Sequence, residues 1–248
     1  MRFIHASDLH IDSPLRGLDR YDGAPVERLR SATRSALERL VDKALAERVD
    51  FLLLAGDIYD RDWQDFHTGL FFRGQMVRLE RAGIRCFIVQ GNHDAQGVIS
   101  RQLTLPSNVT VFSSRAAQTV KLDDLSVAIH GRSFPEREVN EDLVPSYPPP
   151  VSGYFNIGLL HTSLTGRAGH DTYAPTDLPT LVAKGYDYWA LGHVHAREVL
   201  NERPRIVFCG NLQGRHAKET GAKGCELVTV EAGRIEAEFI ALDVVRWS

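Results

Sequence analysis

Short apolar runs that stop at polar clusters constrain the fold of this chain more than any other feature. Three such runs lie in the first 94 residues, and each has the length and composition of a buried strand. They are residues 2–7, which lead into Asp8 and His10; residues 51–55, which lead into Gly56-Asp57; and residues 84–90, which lead into Gly91-Asn92-His93-Asp94. A membrane span is excluded because no apolar run reaches about 18 residues.

Two amphipathic patterns separate these strands. Apolar residues recur every three or four positions after Pro25, which predicts a helix to about residue 48, and a second helix is expected over about 65–82. Strands that alternate with helices predict a parallel sheet with helical crossovers. Ligands of such sheets bind at the carboxyl ends of the strands, where the polar clusters lie.

The rest of the chain is rich in predicted strands. Residues 155–160 run into His161, and residues 187–191 run into Gly192-His193-Val194-His195. Residues 145–151 contain four prolines and predict an extended loop. Further strands are predicted at 109–112, 118–121, 126–130, 205–209, 225–230 and 234–241.

Charge and cysteine content narrow the class of protein. The net charge of −3 excludes a uniformly basic nucleic-acid binder, although a local basic surface remains compatible with it. The first residues are too polar for a signal peptide. Cys86, Cys209 and Cys225 have no metal-binding spacing, so we expect buried thiols in a reduced, cytoplasmic protein without membrane attachment.

The polar clusters together supply seven candidate metal ligands. In an extended segment, residues two apart point the same way, so each D-x-H or H-x-H pair is expected to grip one ion. Carboxylates, imidazoles and an amide oxygen without thiolates suit manganese, iron or zinc, and seven ligands exceed what one tetrahedral ion needs. We therefore expect two divalent ions that share a carboxylate. The candidates are Asp8, His10, Asp57, Asn92, His161, His193 and His195.

Two adjacent metal ions are the arrangement used for phosphoester hydrolysis. A bridging hydroxide would attack phosphorus in line while the ions neutralise the phosphate oxygens. The leaving oxygen would need a proton, which a histidine outside the ligand set can donate. Glycines before Asp57, Asn92 and His193 would permit tight turns and close approach at these strand ends.

The ordered motifs D-x-H, GD, GNH[DE], H and GHxH resemble those of the calcineurin-like metallophosphoesterases over about residues 4–216. The resemblance implies an α/β fold, a four-layer αββα sandwich of two mixed sheets flanked by helices. It implies that His93 is the catalytic acid and that Asp60 orients it. One metal would take Asp8, His10, Asp57 and His195, and the other Asp57, Asn92, His161 and His193, with Asp57 bridging.

The wording of the motifs is most similar to the DNA-repair exonuclease branch, which holds SbcD-like nuclease subunits and YhaO-like bacterial relatives. Ala6-Ser7-Asp8-Leu9-His10 and Gly210-Asn211-Leu212-Gln213-Gly214-Arg215 carry this similarity. Protein phosphatases differ, with glycine and glutamate where this chain has Asp62 and Asp94. The resemblance implies a Mn²⁺-dependent DNA exonuclease. A small-molecule phosphodiesterase or nucleotidase and an inactive scaffold are the alternatives.

The same resemblance implies an organisation and partners. We expect residues 1–248 to form a single nuclease domain without the C-terminal capping and partner-docking region of that branch. A coiled-coil ATPase of the SMC type would dock through that region, and a homodimer is a further expectation. Several other side chains are candidates for contacts with substrate phosphates or for surface positions, namely Arg61, Arg132, Arg167 and Arg215. Among the remaining histidines, His5 is expected in the core, and His67, His130, His170 and His216 at the surface or beside the ligands.

Overall fold

The computed structural model describes residues 1–13, 31–60, 66–95, 103–165 and 173–248. Within them, twelve strands form two six-stranded mixed sheets. The first sheet has the order β12-β11-β1-β2-β3-β4, with β1 at Arg2–Ala6, β2 at Phe51–Ala55, β3 at Arg85–Val89, β4 at Val109–Val111, β11 at Gly224–Glu231 and β12 at Arg234–Ala241. Its strands β1 to β4 are parallel, and β11 and β12 are antiparallel to their neighbours.

The second sheet has the order β5-β6-β7-β8-β10-β9. Strands β6, β7, β8 and β10 run parallel, and the edge strands β5 and β9 run antiparallel to them. The bounds are Gln118–Leu122 for β5, Val127–Gly131 for β6, Phe155–His161 for β7, Tyr188–Gly192 for β8, Glu198–Glu202 for β9 and Arg205–Phe208 for β10.

Alternating side chains of the central strands divide the core into three apolar layers. On β2, Phe51 and Leu53 face the second sheet, whereas Leu52 and Leu54 face helices α1 (Ala32–Glu47) and α2 (Phe66–Arg81). This alternation is the period of two expected of a strand buried on both faces. The outer face of the second sheet packs against helix α3 (Leu178–Ala183) and a 3₁₀ turn at Val144–Ser146. The predicted four-layer sandwich is confirmed.

Three details differ from the sequence prediction. Residues 145 and 146 belong to the 3₁₀ turn, so the expectation of an extended loop throughout 145–151 is wrong. Proline fits there because it occupies the first turn, where its missing N–H needs no partner. Strand β9 and helix α3 were not predicted. The part of the first predicted helix before residue 31, including Pro25, lies outside the described residues. Among the described helices, none combines the length and the hydrophobicity needed to cross a bilayer.

Candidate metal centre

The carboxyl ends of five parallel strands bring the predicted ligands to one edge of the two sheets. Asp8 follows β1 and Asp57 follows β2, and the two following loops pair through their backbones. The N–H groups of Asp8, His10 and Ile11 donate to the carbonyls of residues 56, 57 and 58, each at 3.0 Å. This pairing continues the parallel sheet beyond its last regular residues, so both loops are held in register at the site.

The backbone at this edge is unusually strained. Asp8, His10, Asp57 and His193 all have positive φ, at 51°, 42°, 53° and 101°. Such values are uncommon for residues other than glycine and cluster at functional sites. The extended geometry assumed for the D-x-H segment is therefore wrong. Asp8 and His10 reach the centre because their loop bends to follow residues 56–58, not because alternate side chains share one face of a strand.

Three glycines let the backbones meet at this edge. A Cβ on Gly56 would clash with the His161 ring, and one on Gly91 would clash with the Asp57 carboxylate. At Gly192, a Cβ would collide with the carbonyl oxygen of Ala55 in the other sheet. Gly56 also has φ of +92°, a conformation that other residues adopt only with strain. These glycines therefore have the role predicted for them.

The first group of ligands centres on His10 and His195. Their Nε2 atoms lie 3.2 Å apart. His195 Nε2 is 3.8 Å from Asp8 Oδ1, and His10 Nε2 is 3.8 Å from Asp57 Oδ2. Asp8 also accepts the backbone N–H of His193. Asp8, His10 and His195 each offer an atom within 4.8 Å of the others, which is close enough for one ion.

The second group lies on the other side of Asp57. His161 Nε2 is 3.0 Å from Asn92 Oδ1 and 3.4 Å from Asp57 Oδ2. Asp57, His161 and His193 again converge within 4.8 Å. Asp57 therefore lies between the two groups, next to His10 on one side and His161 on the other, and its role as a bridging ligand stays a prediction.

Hydrogen bonds around the ligands indicate that both groups are built for cations. His161 Nδ1 donates to the carbonyl of Ala55 at 2.8 Å, so Nε2 is the nitrogen that faces the oxygens of Asp57 and Asn92 and needs a proton or a metal ion there. His195 Nδ1 lies 2.6 Å from Glu219, which leaves its Nε2 lone pair facing Asp8 and His10. Acceptors that converge on acceptors repel unless a proton or a metal ion lies between them. The donor set therefore fits two divalent ions.

The raised pKa of His161 also indicates that this group of residues favours a positive charge. Burial disfavours the charged imidazolium, but the Asp57 carboxylate outweighs burial and raises the pKa of His161 to about 9. Burial likewise opposes ionisation of Asp57, yet the neighbouring histidines hold its pKa well below the usual range. A metal ion would compete with the His161 proton for the same lone pair.

His93 faces the centre from a different support. Its backbone N–H donates to Asp57 Oδ1 at 2.9 Å, and its Nδ1 lies 2.9 Å from Asp60 Oδ1. Burial opposes ionisation of Asp60, but hydrogen bonds from His93 and Ser13 keep its pKa well below the usual value. The Asp60 carboxylate can thus only accept, so His93 carries its Nδ1 proton towards Asp60 and turns Nε2 away from it.

Asp94 bonds to the backbone of the loops and lies outside the two groups of candidate ligands. Its carboxyl group accepts the backbone N–H groups of Ile58, Tyr59 and Gly91. Burial, together with the nearby Asp57, raises the pKa of Asp94 to about 7. It therefore joins the loop after β2 to the loop after β3.

Two residues at this edge were missed or only partly foreseen. Glu219, which had no predicted role, contacts His195, and Arg215 Nη1 donates to Asp60 Oδ2 at 3.2 Å. A carboxylate 24 residues from its histidine has no local spacing that a sequence pattern could detect. Arg215 was expected only as a phosphate contact or a surface residue.

The remaining candidates have other surroundings. His5 is buried as predicted. His130 is buried too, where it stacks on Tyr186 and bonds to Asn156, so its expected position at the surface or beside the ligands is wrong. Arg132 bonds to Ser146 and Glu141. All three cysteines are buried free thiols. Arg61, Asp62, Arg167 and His170 lie outside the described residues.

A cavity of about 580 Å³ opens in front of the ligands. Asp57, Asn92 and His93 line it together with the cationic side chains of Arg215, Lys218 and Lys223. Burial lowers the pKa of Lys223, whose ammonium group donates to the His195 carbonyl. An anionic substrate would therefore meet positive charge on the way to the ligands although the chain as a whole is acidic.

Comparisons with known proteins agree with this geometry. A model of the calcineurin-like phosphoesterase family matches residues 1–197. The uncharacterized metallophosphoesterase YhaO of Bacillus subtilis (strain 168) is 39% identical over 251 residues, covering 100% of this chain and 62% of that protein. The DNA double-strand break repair protein Mre11 of Methanopyrus kandleri is 25% identical over 212 residues, covering 79% and 44%. The chain thus spans less than two thirds of either relative.

Solved structures share the fold at low sequence identity. A dimetal phosphatase from Danio rerio superposes with a TM-score of 0.58 and 10% identity, over 98% of this chain and 96% of that one. The protein TT1561 of Thermus thermophilus superposes with a TM-score of 0.53 and 14% identity, over 96% and 98%. Because the family model matches residues 1–197 and the motif residues gather at one edge of the sheets, the chain belongs to the calcineurin-like phosphoesterase family.

Proposed function

We propose that this chain is the catalytic part of a two-metal phosphodiesterase that cleaves DNA, acting from strand ends with manganese as its metal. The observation that carries the proposal is the pair of ligand groups on either side of Asp57, with His93 beside them. The similarity to an Mre11 repair protein and the cationic side chains of the cavity favour DNA as the phosphodiester.

The proposed ligands divide between two ions as the motifs predict. Asp8, His10 and His195 would hold one ion, Asn92, His161 and His193 the other, and Asp57 both. Bound ions of this kind neutralise phosphate oxygens and activate water as the nucleophile. Carboxylate, amide and imidazole donors without thiolates suit manganese.

The chain's own residues would handle the leaving group. His93 stands next to the ligands with Nδ1 held by Asp60, so Nε2 is the atom that would protonate the departing oxygen. Lys218 lines the same cavity, where it would contact the non-bridging or flanking phosphate oxygens. These roles need no movement of the strands.

Hydrolysis by the manganese-loaded protein tests this proposal. The substrates are end-labelled linear DNA, the same DNA circularised, and bis-p-nitrophenyl phosphate. We expect loss of linear but not circular DNA. His93→Ala is expected to lower the rate 10²- to 10⁴-fold, the usual contribution of general acid catalysis, while two Mn²⁺ ions still bind. Glu236→Gln, an exposed substitution on β12, is the control.

The contrary outcomes are distinct. Turnover of the small diester without DNA cleavage would assign the site to small phosphodiesters. Bound metal with no turnover of any substrate would identify a scaffold. Cleavage retained in His93→Ala would remove His93 from the acid role.

A further inference from the structure

The 210–219 loop connects β10 to β11 and lies against the candidate metal centre. It follows the residues matched by the family model, which end at 197. Asn211 forms an isolated bridge with Ser7, directly before the ligand Asp8, and its N–H faces the His195 carbonyl at 3.4 Å. The loop is thus attached to both sheets at the point where the ligands emerge.

Glu219 makes its contacts from the end of this loop. Oε1 lies 2.6 Å from His195 Nδ1, and Oε2 accepts Asn211 Nδ2 at 3.0 Å and the Arg215 backbone N–H at 2.6 Å. The side chain is 9% exposed. Glu219 is therefore a carboxylate surrounded by donors.

Arg215 makes the second attachment. Its Nη1 donates to Asp60 Oδ2 at 3.2 Å and approaches Ser13 Oγ at 3.4 Å. The other oxygen of Asp60 holds His93. Because Glu219 also accepts the Arg215 backbone N–H, the two attachments belong to one hydrogen-bonded unit that runs from His195 through the loop to His93.

We propose that the 210–219 loop positions both halves of the centre, Glu219 by fixing the His195 tautomer that leaves Nε2 for metal, and Arg215 by fixing Asp60 and, through it, His93. This inference rests on the proposed function, since it assumes that His195 is a ligand and His93 the acid. A histidine whose second nitrogen is held by a carboxylate is oriented and made a stronger base, and losing such a partner typically costs about 10- to 100-fold in metal affinity.

Glu219→Gln tests the first half with an isosteric change. The three hydrogen-bond partners of the carboxylate all donate, and His216 Nε2 lies 3.4 Å from Oε1. The new NH₂ group must therefore oppose either His195 Nδ1–H or the donors at the other oxygen. Calorimetric titration of the metal-stripped protein with Mn²⁺ is expected to show two sites in the wild type. In Glu219→Gln, one site should weaken about 10- to 100-fold while the other is unchanged. Glu236→Gln should match the wild type.

A readout without metal accompanies this titration. The ¹⁵N shifts of the His195 ring report which nitrogen carries the proton. We expect Nδ1–H in the metal-stripped wild type and a changed tautomer ratio in Glu219→Gln. If the wild type fails to bind two Mn²⁺ ions, the proposed function fails. If it binds two, and Glu219→Gln keeps both affinities and the tautomer, this inference is overturned and the proposed function is untouched.

Arg215→Met tests the second half, with Arg215→Lys as the conservative variant and the exposed Arg234→Met as the control. A positioning role predicts that kcat for bis-p-nitrophenyl phosphate falls about tenfold with KM and Mn²⁺ affinity unchanged, that the His93 ring shifts move, and that lysine restores part of the rate. A rise in KM alone would make Arg215 a substrate contact and overturn this half, as would unchanged kinetics and His93 shifts.

Discussion

Two buried clusters of charge, one around Glu226 and one in the candidate metal centre, differ in how they are neutralised. Glu226 on β11 is fully buried and meets Arg197 at 2.5 Å and Arg205 at 3.2 Å. Arg205 also meets Glu202 at 2.7 Å, so we call these two glutamates and two arginines the balanced cluster. In the metal centre, by contrast, Asp8 and Asp57 face imidazoles and an amide oxygen without an arginine or lysine bonded to either carboxylate among the described residues. Of the two clusters, only the balanced cluster pairs its carboxylates with arginines.

Two buried histidines report this difference. His5 is the β1 partner of Glu226, and burial lowers its pKa to about 4 although Glu226 favours the charged form. His161 is equally buried, yet Asp57 raises its pKa to about 9. Burial alone would move both values down. The candidate metal centre thus favours positive charge despite burial. In the balanced cluster, the Glu226 carboxylate is already paired with two arginines.

The largest expected effect follows from removing the bridging carboxylate. Asp57→Asn should lower phosphodiester turnover at least about 10⁴-fold, or about 5 kcal/mol, because both ligand groups lose a shared charge. The free energy of unfolding of the metal-stripped protein should change by less than about 2 kcal/mol, since the His161 proton can leave. Urea unfolding in chelator and Mn²⁺ titration measure the two. A large loss of stability with activity retained would reverse the comparison.

A smaller effect of the opposite kind is expected in the balanced cluster. Glu226→Gln leaves Arg197 and Arg205 without their buried carboxylate, which should lower the free energy of unfolding by about 4 kcal/mol. Mn²⁺ affinity of the folded variant should stay within a few-fold of the wild type. Glu236→Gln, an exposed glutamate on β12, should change stability by less than about 0.5 kcal/mol. Equal stability of both variants would mean that the cluster contributes nothing.

The smallest effect concerns acid stability. The unfolded chain binds a proton at His5 below about pH 6.5, but the folded protein does not until about pH 4, so stability falls as the pH drops through this window. Between about pH 6.5 and about pH 5 we expect His5 to account for about 2 kcal/mol of the loss. Over this pH range, the free energy of unfolding should therefore fall more in the metal-stripped wild type than in metal-stripped His5→Gln. Parallel pH curves for the two proteins would contradict the assigned pKa.

The parts of the fold that could be predicted are those whose sequence shows a continuous apolar run or a regular spacing of apolar residues. Strand β2 is apolar throughout, because both of its faces are buried, and it ends at Gly56-Asp57. Strand β9 was missed because it is an edge strand of half-buried and exposed residues with glutamates at both ends. Helix α3 has only six residues, although Asp177 accepting the Thr180 N–H, followed by Pro179 in the first turn, is a recognisable start.

The candidate ligands could be picked out from the sequence and the residues that support them could not, for a physical reason. A ligand must be a particular residue type at the end of a strand, so Asp57 and His161 stand out in the sequence. A support such as Glu219 needs only a carboxylate within reach, and its position depends on how the 210–219 loop folds back. The left-handed backbone at Asp8 and His10 was likewise invisible, because it arises from pairing with the loop after β2.

The three glycines at the strand ends limit how the proposed activity of this chain could be changed by directed evolution. Gly56, Gly91 and Gly192 sit among the ligands and would look like attractive positions to randomise. At each of them, a Cβ would collide with a candidate ligand or with backbone atoms. Nearly every variant altered there should therefore fail to form the site. Diversity is better placed at Tyr173, His216 and Lys218, which line the cavity and lie outside the proposed ligand set.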